Sequence, residues 1–197
     1  MSTDQPTSAV KAQLIESAVD VCVERGLSDL SLRELASALG TSHRMLIYHF
    51  GSKEALLTEV VRATERRQQL VLAQLTEGLG GDSGEVARTF WRRLRSPELA
   101  PLERLFFEVY AQALQGKAYA STFLEDAVSS WVEMTAPALQ AEGLSETEAR
   151  SEARLGQAVV RGLLLDVLAT GDRDGADVAF ERFLRGTARL RADRPGI

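Results

Sequence analysis

Apolar residues recur at helical spacing along most of the chain, most clearly between residues 30 and 57. Positions i, i+3, i+4 and i+7 of one helix face are occupied by Leu32, Leu35, Ala36 and Leu39. Ser31 and Glu34 stand at the start of this face with the spacing of a capping box, in which each side chain binds a free backbone N–H of the first turn. Gly40 follows the face, where a residue without Cβ most readily ends a helix. The pattern predicts a short helix between Ser31 and Gly40.

A second short helix follows directly. Ser42 has the side chain of an N-cap, and Leu46 and Phe50 are spaced so that both point into a core. Ser52 has the same capping character and marks the start of a third, much longer helix. Two short helices joined by a turn of three or four residues predict a helix-turn-helix, whose second helix can enter the major groove of DNA.

The rest of the chain keeps the helical period, and no strand-like alternation is visible. Residues before about Ser8 are expected to be disordered, and Pro137 is expected to break or kink the helix in which it lies. The predicted helices outside the helix-turn-helix cover about 8–25, 52–77, 86–96, 101–116, 119–137, 145–169 and 178–190. The prediction is an all-α fold of about nine helices. It has one domain at residues 8–53 and a second at residues 54–192, with helix 52–77 connecting them.

Composition is that of an ordinary globular chain, with 197 residues of which 45% are apolar and 26% charged. No apolar run reaches the ~20 residues needed to cross a bilayer, and no signal-peptide pattern opens the chain. The single cysteine, Cys22, lies on the apolar face of the first predicted helix, which indicates a small buried hydrophobe rather than a redox group. These features predict a cytoplasmic protein without disulfide bonds.

The net charge of −5 argues against a protein that coats polyanions non-specifically, so charge alone does not point to nucleic acid. The distribution of the charge is more informative, because Arg44, His49 and Lys53 cluster around the second helix of the helix-turn-helix. A local positive face on an acidic chain is compatible with specific DNA binding through few phosphates.

The segment around the helix-turn-helix resembles the DNA-binding segment of the tetracycline-repressor (TetR) family of bacterial regulators. The resemblance rests on Leu35-Ala36, Leu39-Gly40, Ser42, Leu46, Tyr48-His49-Phe50, Ser52-Lys53-Glu54, Leu56 and Leu57. It implies a sequence-specific DNA-binding regulator, a repressor that a small-molecule effector releases from a palindromic operator. It implies neither an enzyme activity nor a cofactor.

The chain departs from the family pattern at two positions. Ile47 stands where the family usually has a tyrosine that often contacts DNA, and an isoleucine can offer only an apolar contact, for example to a thymine methyl. Thr41 replaces the usual valine of the turn. Its methyl group can still pack, whereas its hydroxyl needs a hydrogen-bond partner.

Three residues of the second helix carry the chemistry of base recognition. Arg44 can bridge the O6 and N7 atoms of a guanine, and Met45 can press on a thymine methyl. His43 can donate to a base or a phosphate. The alternative for Arg44 is a solvated charge without a DNA contact.

The resemblance places Tyr48, His49 and Lys53 at phosphates, where the amino-terminal end of the long helix adds positive potential. The alternative for His49 is a structural histidine, and Ser31 is either a contact to the flanking backbone, with Arg33, or only a cap. The full set of predicted DNA-binding residues is Ser31, Arg33, Thr41, Ser42, His43, Arg44, Met45, Ile47, Tyr48, His49 and Lys53.

Aromatic residues at helical spacing mark the second predicted domain. Such residues more often form a core than a ligand site, yet ligand sites between helices are built in the same way, with a few polar groups among aromatic ones. By the resemblance, this domain binds a small effector that the sequence does not identify. The candidate ligand residues are Trp91, Phe106, Phe107, Tyr110, Gln112, Phe123, Trp131, Met134, Gln157 and Arg161.

Small residues form a seam on the last two predicted helices, and by the resemblance these helices form a homodimer. The seam consists of Gly156, Ala158, Gly162, Ala176, Ala179, Gly186 and Ala188. A two-fold dimer binds a palindromic DNA site. The alternative is that the seam only packs the two helices of one chain together.

Two other functions compete with a ligand-responsive DNA-binding regulator. An all-α enzyme would need a convergent acid, base or metal set, but the only histidines, His43 and His49, both lie in the helix-turn-helix, and no H-E-x-x-H motif exists. No catalytic residue is therefore predicted. The other alternative is a regulator without an effector that acts through a protein partner.

Overall fold

The computed structural model describes residues 4–27, 29–80, 82–120 and 123–192, and it is all-helical in these ranges. The nine α-helices are α1 (Asp4–Arg25), α2 (Leu32–Ala38), α3 (His43–Phe50), α4 (Lys53–Gly78), α5 (Ser83–Leu94), α6 (Ala100–Leu114), α7 (Phe123–Ala141), α8 (Glu146–Thr170) and α9 (Arg173–Ala192). A short 3-10 turn at Ala118–Ala120 lies between α6 and α7. The prediction of an all-α fold with about nine helices is confirmed.

One predicted helix start is wrong, and one predicted helix break does not occur. α1 begins at Asp4 rather than near Ser8. The helix tolerates Pro6 because the N–H groups of a first helical turn have no partner within the helix. α7 is not broken at Pro137 but continues to Ala141, and a kink at this proline stays a prediction. Ala136 and Leu139, on either side of the proline, are buried in one apolar cluster, and this packing offsets the missing backbone hydrogen bond.

The chain divides into two compact units, each formed by two segments. Unit 1 consists of Met1–Leu70 and Pro97–Ala127, and unit 2 of Val71–Ser96 and Val128–Ile197. Unit 1 therefore combines the helix-turn-helix with α6, although the two are far apart in the sequence. The predicted division into domains 8–53 and 54–192 stays a prediction.

The core of unit 1 is continuous from the helix-turn-helix to α6. α1 packs against α6, and α2 against α3. The fully buried large side chains of this core are Cys22, Leu27, Leu35, Leu46, Leu56, Val60, Val61, Leu105, Val109 and Phe123. An ion pair between Arg67 and Glu16 also connects α4 with α1. α2 and α3 are thus supported by a larger core than three short helices could form alone.

The burial of Cys22 confirms its predicted structural role. The side chain is fully buried in the core of unit 1, and desolvation raises the pKa of its thiol to about 12. The thiol is therefore protonated at neutral pH and lacks the thiolate that redox chemistry needs.

Unit 2 is held together by α8 packing on α9 and by contacts of α5 with α9. The indole of Trp91 is buried, stacks on Phe180 with 5.0 Å between ring centroids, and donates its Nε1–H to Asp177 Oδ1 at 2.8 Å. Arg95 forms an ion pair with the same carboxylate. None of the helices in the described ranges is long and apolar enough to span a membrane.

Candidate nucleic-acid interface

A complete capping box fixes the start of α2, as the sequence predicts. The backbone N–H of Ser31 donates to Glu34 Oε2 at 2.7 Å, and the N–H of Glu34 donates to Ser31 Oγ at 3.3 Å. Hydrogen bonds from the side chain and, to a smaller extent, the backbone of Ser31 lower the pKa of the Glu34 carboxyl, and the charge of Lys53 lowers it further. Both groups are exposed, so the box defines the helix start without being part of the core.

Replacing the hydroxyl of this box should change how the protein responds to acid. Because the folded-state pKa of Glu34 is below its unfolded value, its contribution to stability is present at neutral pH and is lost as pH falls through the lowered pKa. In Ser31→Ala we expect the pKa of Glu34 to rise towards its ordinary value, as measured by NMR titration. We also expect the deficit in unfolding free energy, measured in urea, to shrink at acidic pH.

Ser145→Ala is the matched control, because Ser145 and Glu148 form the second capping box, at the start of α8. It should leave the titration of Glu34 unchanged. An unaltered Glu34 pKa in Ser31→Ala would show that the box does not hold this carboxylate.

The turn between α2 and α3 depends on a glycine and a serine. Gly40 has φ +63°, and an added Cβ would contact nothing there, so the position requires glycine for its backbone conformation rather than for space. The N–H of Thr41 then donates to the carbonyl of Ala36 at 2.9 Å. Ser42 caps α3, and its Oγ accepts from the N–H of Met45 at 3.2 Å. The predicted N-cap is confirmed.

α3 buries one side and exposes the other, which confirms the predicted orientation. Leu46 and Phe50 are buried in the core of unit 1. Met45, Ile47 and Tyr48 are 38%, 41% and 69% exposed, respectively, although they are large and mostly apolar. The exposed side also carries His43 and Arg44. A short helix that presents an arginine among exposed apolar side chains has the groups that contact base edges and thymine methyls.

The junction of α3 and α4 is ordered by Gly51 and Ser52. Gly51 has φ +77° and ends α3, and Ser52 Oγ accepts from the N–H of Ala55 at 3.1 Å at the start of α4. Lys53, which is half-buried, lies close enough to Glu34 to lower the pKa of that carboxyl. The predicted phosphate-binding groups Tyr48 and Lys53 therefore flank a turn whose two ends are capped.

His49 is more enclosed than its neighbours. Its ring packs edge-to-face on Tyr48 with 5.0 Å between centroids, and its Nε2 is buried without a hydrogen-bond partner among the described residues. A phosphate contact through Nε2 would require the ring to turn outward. The DNA contact of His49 thus stays a prediction, as do the contacts of Ser31, Arg33, Thr41 and the other predicted residues.

The ten candidate ligand residues belong to both units. Phe106, Phe107, Tyr110, Gln112 and Phe123 lie in unit 1, and Trp91, Trp131, Met134, Gln157 and Arg161 lie in unit 2. Phe106 and Phe123 are buried in the core of unit 1 with 5.8 Å between their rings, and Gln112 Oε1 accepts from the hydroxyl of Tyr119 at 2.6 Å. In unit 2, Trp91 is engaged by Phe180 and Asp177, and Trp131 packs on Phe90. Their role in ligand binding stays a prediction.

Sequence reasoning missed two residues that the structure brings to notice. Asp177 binds both Trp91 and Arg95, and Lys11 places its ammonium 5.5 Å from the ring centroid of Phe50. Both contacts join helices that are distant in the chain, so no local motif marks either residue.

Comparisons with known proteins match the segment that contains the helix-turn-helix. Residues 14–60 match a family model described as bacterial regulatory proteins of the tetR family. A search of curated proteins finds no significant match.

The fold is shared with solved structures of bacterial regulators. A TetR-family transcriptional regulator from Pectobacterium atrosepticum is 18% identical, with a TM-score of 0.72 over 99% of this chain and 100% of that one. One from Mesorhizobium loti is 21% identical, with a TM-score of 0.69 over 94% and 96%. A regulator from Saccharomonospora viridis in complex with choline is 24% identical, with a TM-score of 0.64 over 90% and 96%.

The helix-turn-helix and the matched family model define the class of the protein, a DNA-binding transcriptional regulator. The resemblance found in the sequence is confirmed: residues 14–60 match the model of the tetR family, and the fold of the chain is similar to that of solved TetR-family regulators.

Proposed function

We propose that the protein is a repressor that binds a palindromic operator as a homodimer and is released by a small-molecule effector. The observation that carries the proposal is the presentation of α3. The helix is capped by Ser42 and closed by Gly51, its buried residues Leu46 and Phe50 anchor it, and its other side exposes Arg44 with three large neighbours. Such a helix can enter a major groove without losing any core contact.

The test is selection of DNA from a random pool, followed by anisotropy titration. We expect a palindromic consensus whose half-sites lie about one helical turn apart or a multiple of it, because a two-fold dimer places its two recognition helices on one face of DNA. Selected DNA should be bound much more tightly than a scrambled sequence of the same length. Equal binding of both sequences would contradict a sequence-specific regulator.

The proposed dimer is supported by an apolar stripe on α8. Leu155, Ala158, Gly162, Leu165 and Ala169 recur at alternating spacings of three and four residues, and all are exposed. Such spacing places them on one side of the helix, in the pattern that packs helices closely. Val178, 69% exposed on the neighbouring α9, adds to the same kind of surface. Exposed apolar side chains grouped in this way are a feature of protein interfaces.

We expect Leu165→Arg to convert the dimer to a monomer, because it places a charge in the middle of this stripe, where Leu165 is 51% exposed. Operator affinity should fall ~10²-fold or more, since two half-sites would no longer be bound together. Sedimentation equilibrium measures the first effect and anisotropy the second. The control is Leu114→Arg, which changes an exposed leucine at the end of α6 and should alter neither. A dimeric Leu165→Arg would contradict this interface.

The effector part of the proposal is supported by the relative from Saccharomonospora viridis, whose structure contains choline. Its test is the operator complex titrated with choline and a panel of small organic molecules. A compound that lowers operator affinity at saturation, and that also raises the unfolding temperature of the protein, would identify an effector class. The proposal requires no cofactor, and it places the protein in the cytoplasm, where bacterial operators are found.

A further inference from the structure

Lys11 of α1 is positioned at the carboxyl end of α3. Its ammonium lies 5.5 Å from the ring centroid of Phe50, the last residue of α3, within the distance of a cation–π interaction. The ring itself is buried and fixed by the core of unit 1. A partly exposed lysine from another helix is thereby held beside the helix that is proposed to enter the major groove.

The side of α3 that carries Phe50 has no lysine or arginine, because the residues at this helical spacing are His43, Leu46 and Ile47. Ile47 and Phe50 are three residues apart and so are neighbours on this side of the helix. Ile47 is exposed but apolar. The carboxyl end of α3 also carries the negative end of the helix dipole, which favours a nearby cation. A phosphate that approaches this side would therefore depend on Lys11 for a charged donor.

The charge of Lys11 is not used for an ion pair. Among the described residues no carboxylate forms an ion pair with Lys11, and the ammonium makes a cation–π contact with the Phe50 ring. The chain also has no acidic residue three or four positions from Lys11, where a partner on the same helix would stand. The ring orients the ammonium without neutralising it, so the charge remains available to an anion.

We propose that Lys11 is an additional DNA-backbone contact, whose ammonium binds a phosphate of the strand that passes the Ile47 side of α3. The proposal rests on the proposed function, since it requires that α3 enters a major groove. Such a contact carries no sequence information and adds only to affinity and to its salt dependence.

The test is the salt dependence of operator binding by Lys11→Met, which keeps an unbranched apolar chain over the ring but removes the charge. Each phosphate contact contributes ~0.9 to the slope of log K against log salt. The proposed dimer has two copies of Lys11, so the magnitude of the slope should decrease by about 1.8, and affinity at ~0.1 M salt should fall roughly 60-fold. The ratio of operator to scrambled-DNA affinity should not change. Lys11→Arg should keep the slope of the parent protein.

The matched control is Lys117→Met, which removes an exposed lysine of the same unit and should leave the slope unchanged. Circular dichroism establishes that each variant is folded, and Lys11→Gln replaces Lys11→Met if that variant is not. If Lys11→Met binds the operator with the same salt-dependence slope as the parent protein, the proposal is overturned. If its melting temperature is also lowered, Lys11 is only a structural partner of Phe50. If the parent protein binds the operator no more tightly than scrambled DNA, the proposed function fails. This outcome is distinct from a failure of the Lys11 proposal alone.

Discussion

Arg44→Ala abolishes most of the preference of the protein for its operator over scrambled DNA and leaves its melting temperature unchanged. Arg44 is the second residue of α3 and is exposed, so its removal affects no core contact. A bidentate arginine–guanine pair contributes ~1–3 kcal/mol of discrimination, which is a factor of about 5 to 150 for each half-site. In a dimer both half-sites lose this contact. Anisotropy titrations with the selected operator and with scrambled DNA measure the effect.

Two control variants separate base recognition from general electrostatics. Arg66→Ala removes the same charge from an exposed position on α4 and should alter neither affinity. Lys53→Ala, at a predicted phosphate contact, should weaken binding to operator and scrambled DNA by the same factor. If Arg44→Ala also weakened both equally, Arg44 would be a phosphate contact or a solvated charge, and base recognition would have to come from other residues.

Phe123→Ala should unfold unit 1 at a much lower denaturant concentration than the parent protein. The ring is 1% exposed and packs against Phe106 and Tyr110, with centroid distances of 5.8 and 6.3 Å. Truncating a buried phenylalanine costs ~3–5 kcal/mol of unfolding free energy, because contacts are lost and a cavity remains. Urea unfolding followed by circular dichroism measures this loss. The operator affinity of the folded fraction should be retained.

Phe123→Leu is the control for volume, and it should recover most of the lost stability because it refills much of the cavity. The same pair of variants tests the other interpretation of Phe123, that of a ligand contact. A Phe123→Ala protein with parental stability and a weakened response to an effector would show that the residue belongs to a ligand site and not to the core.

The features predicted well from the sequence are those that depend on residues close together in the chain. The capping box of Ser31, the N-cap Ser42 and the inward pair of α3 all follow from contacts within about one helical turn. Helix ends near prolines were predicted less well. The local effect of Pro137 on the backbone was weaker than the packing of its buried neighbours, which the sequence around it does not reveal.

The arrangement of helices in units could not be predicted from periodicity. Aromatic residues that form a core and aromatic residues that line a ligand site have the same helical spacing. The sequence therefore does not show that Phe106 and Trp131 belong to different units. The structure places the first in the core of unit 1, with α1 and the helix-turn-helix, and the second in unit 2. Lys11 and Asp177 escaped notice for a related reason, since each acts on a helix far away in the chain.

The two units carry different natural probes. Both tryptophans of the chain, Trp91 and Trp131, lie in unit 2, and its single cysteine, Cys22, is buried in unit 1. Intrinsic tryptophan emission therefore originates in unit 2. Reaction of the thiol with a labelling reagent reports on the opening of unit 1, because the buried group reacts only when that core opens. The parent protein, without any introduced label, thus allows the two units to be followed separately during unfolding, DNA binding and ligand titration.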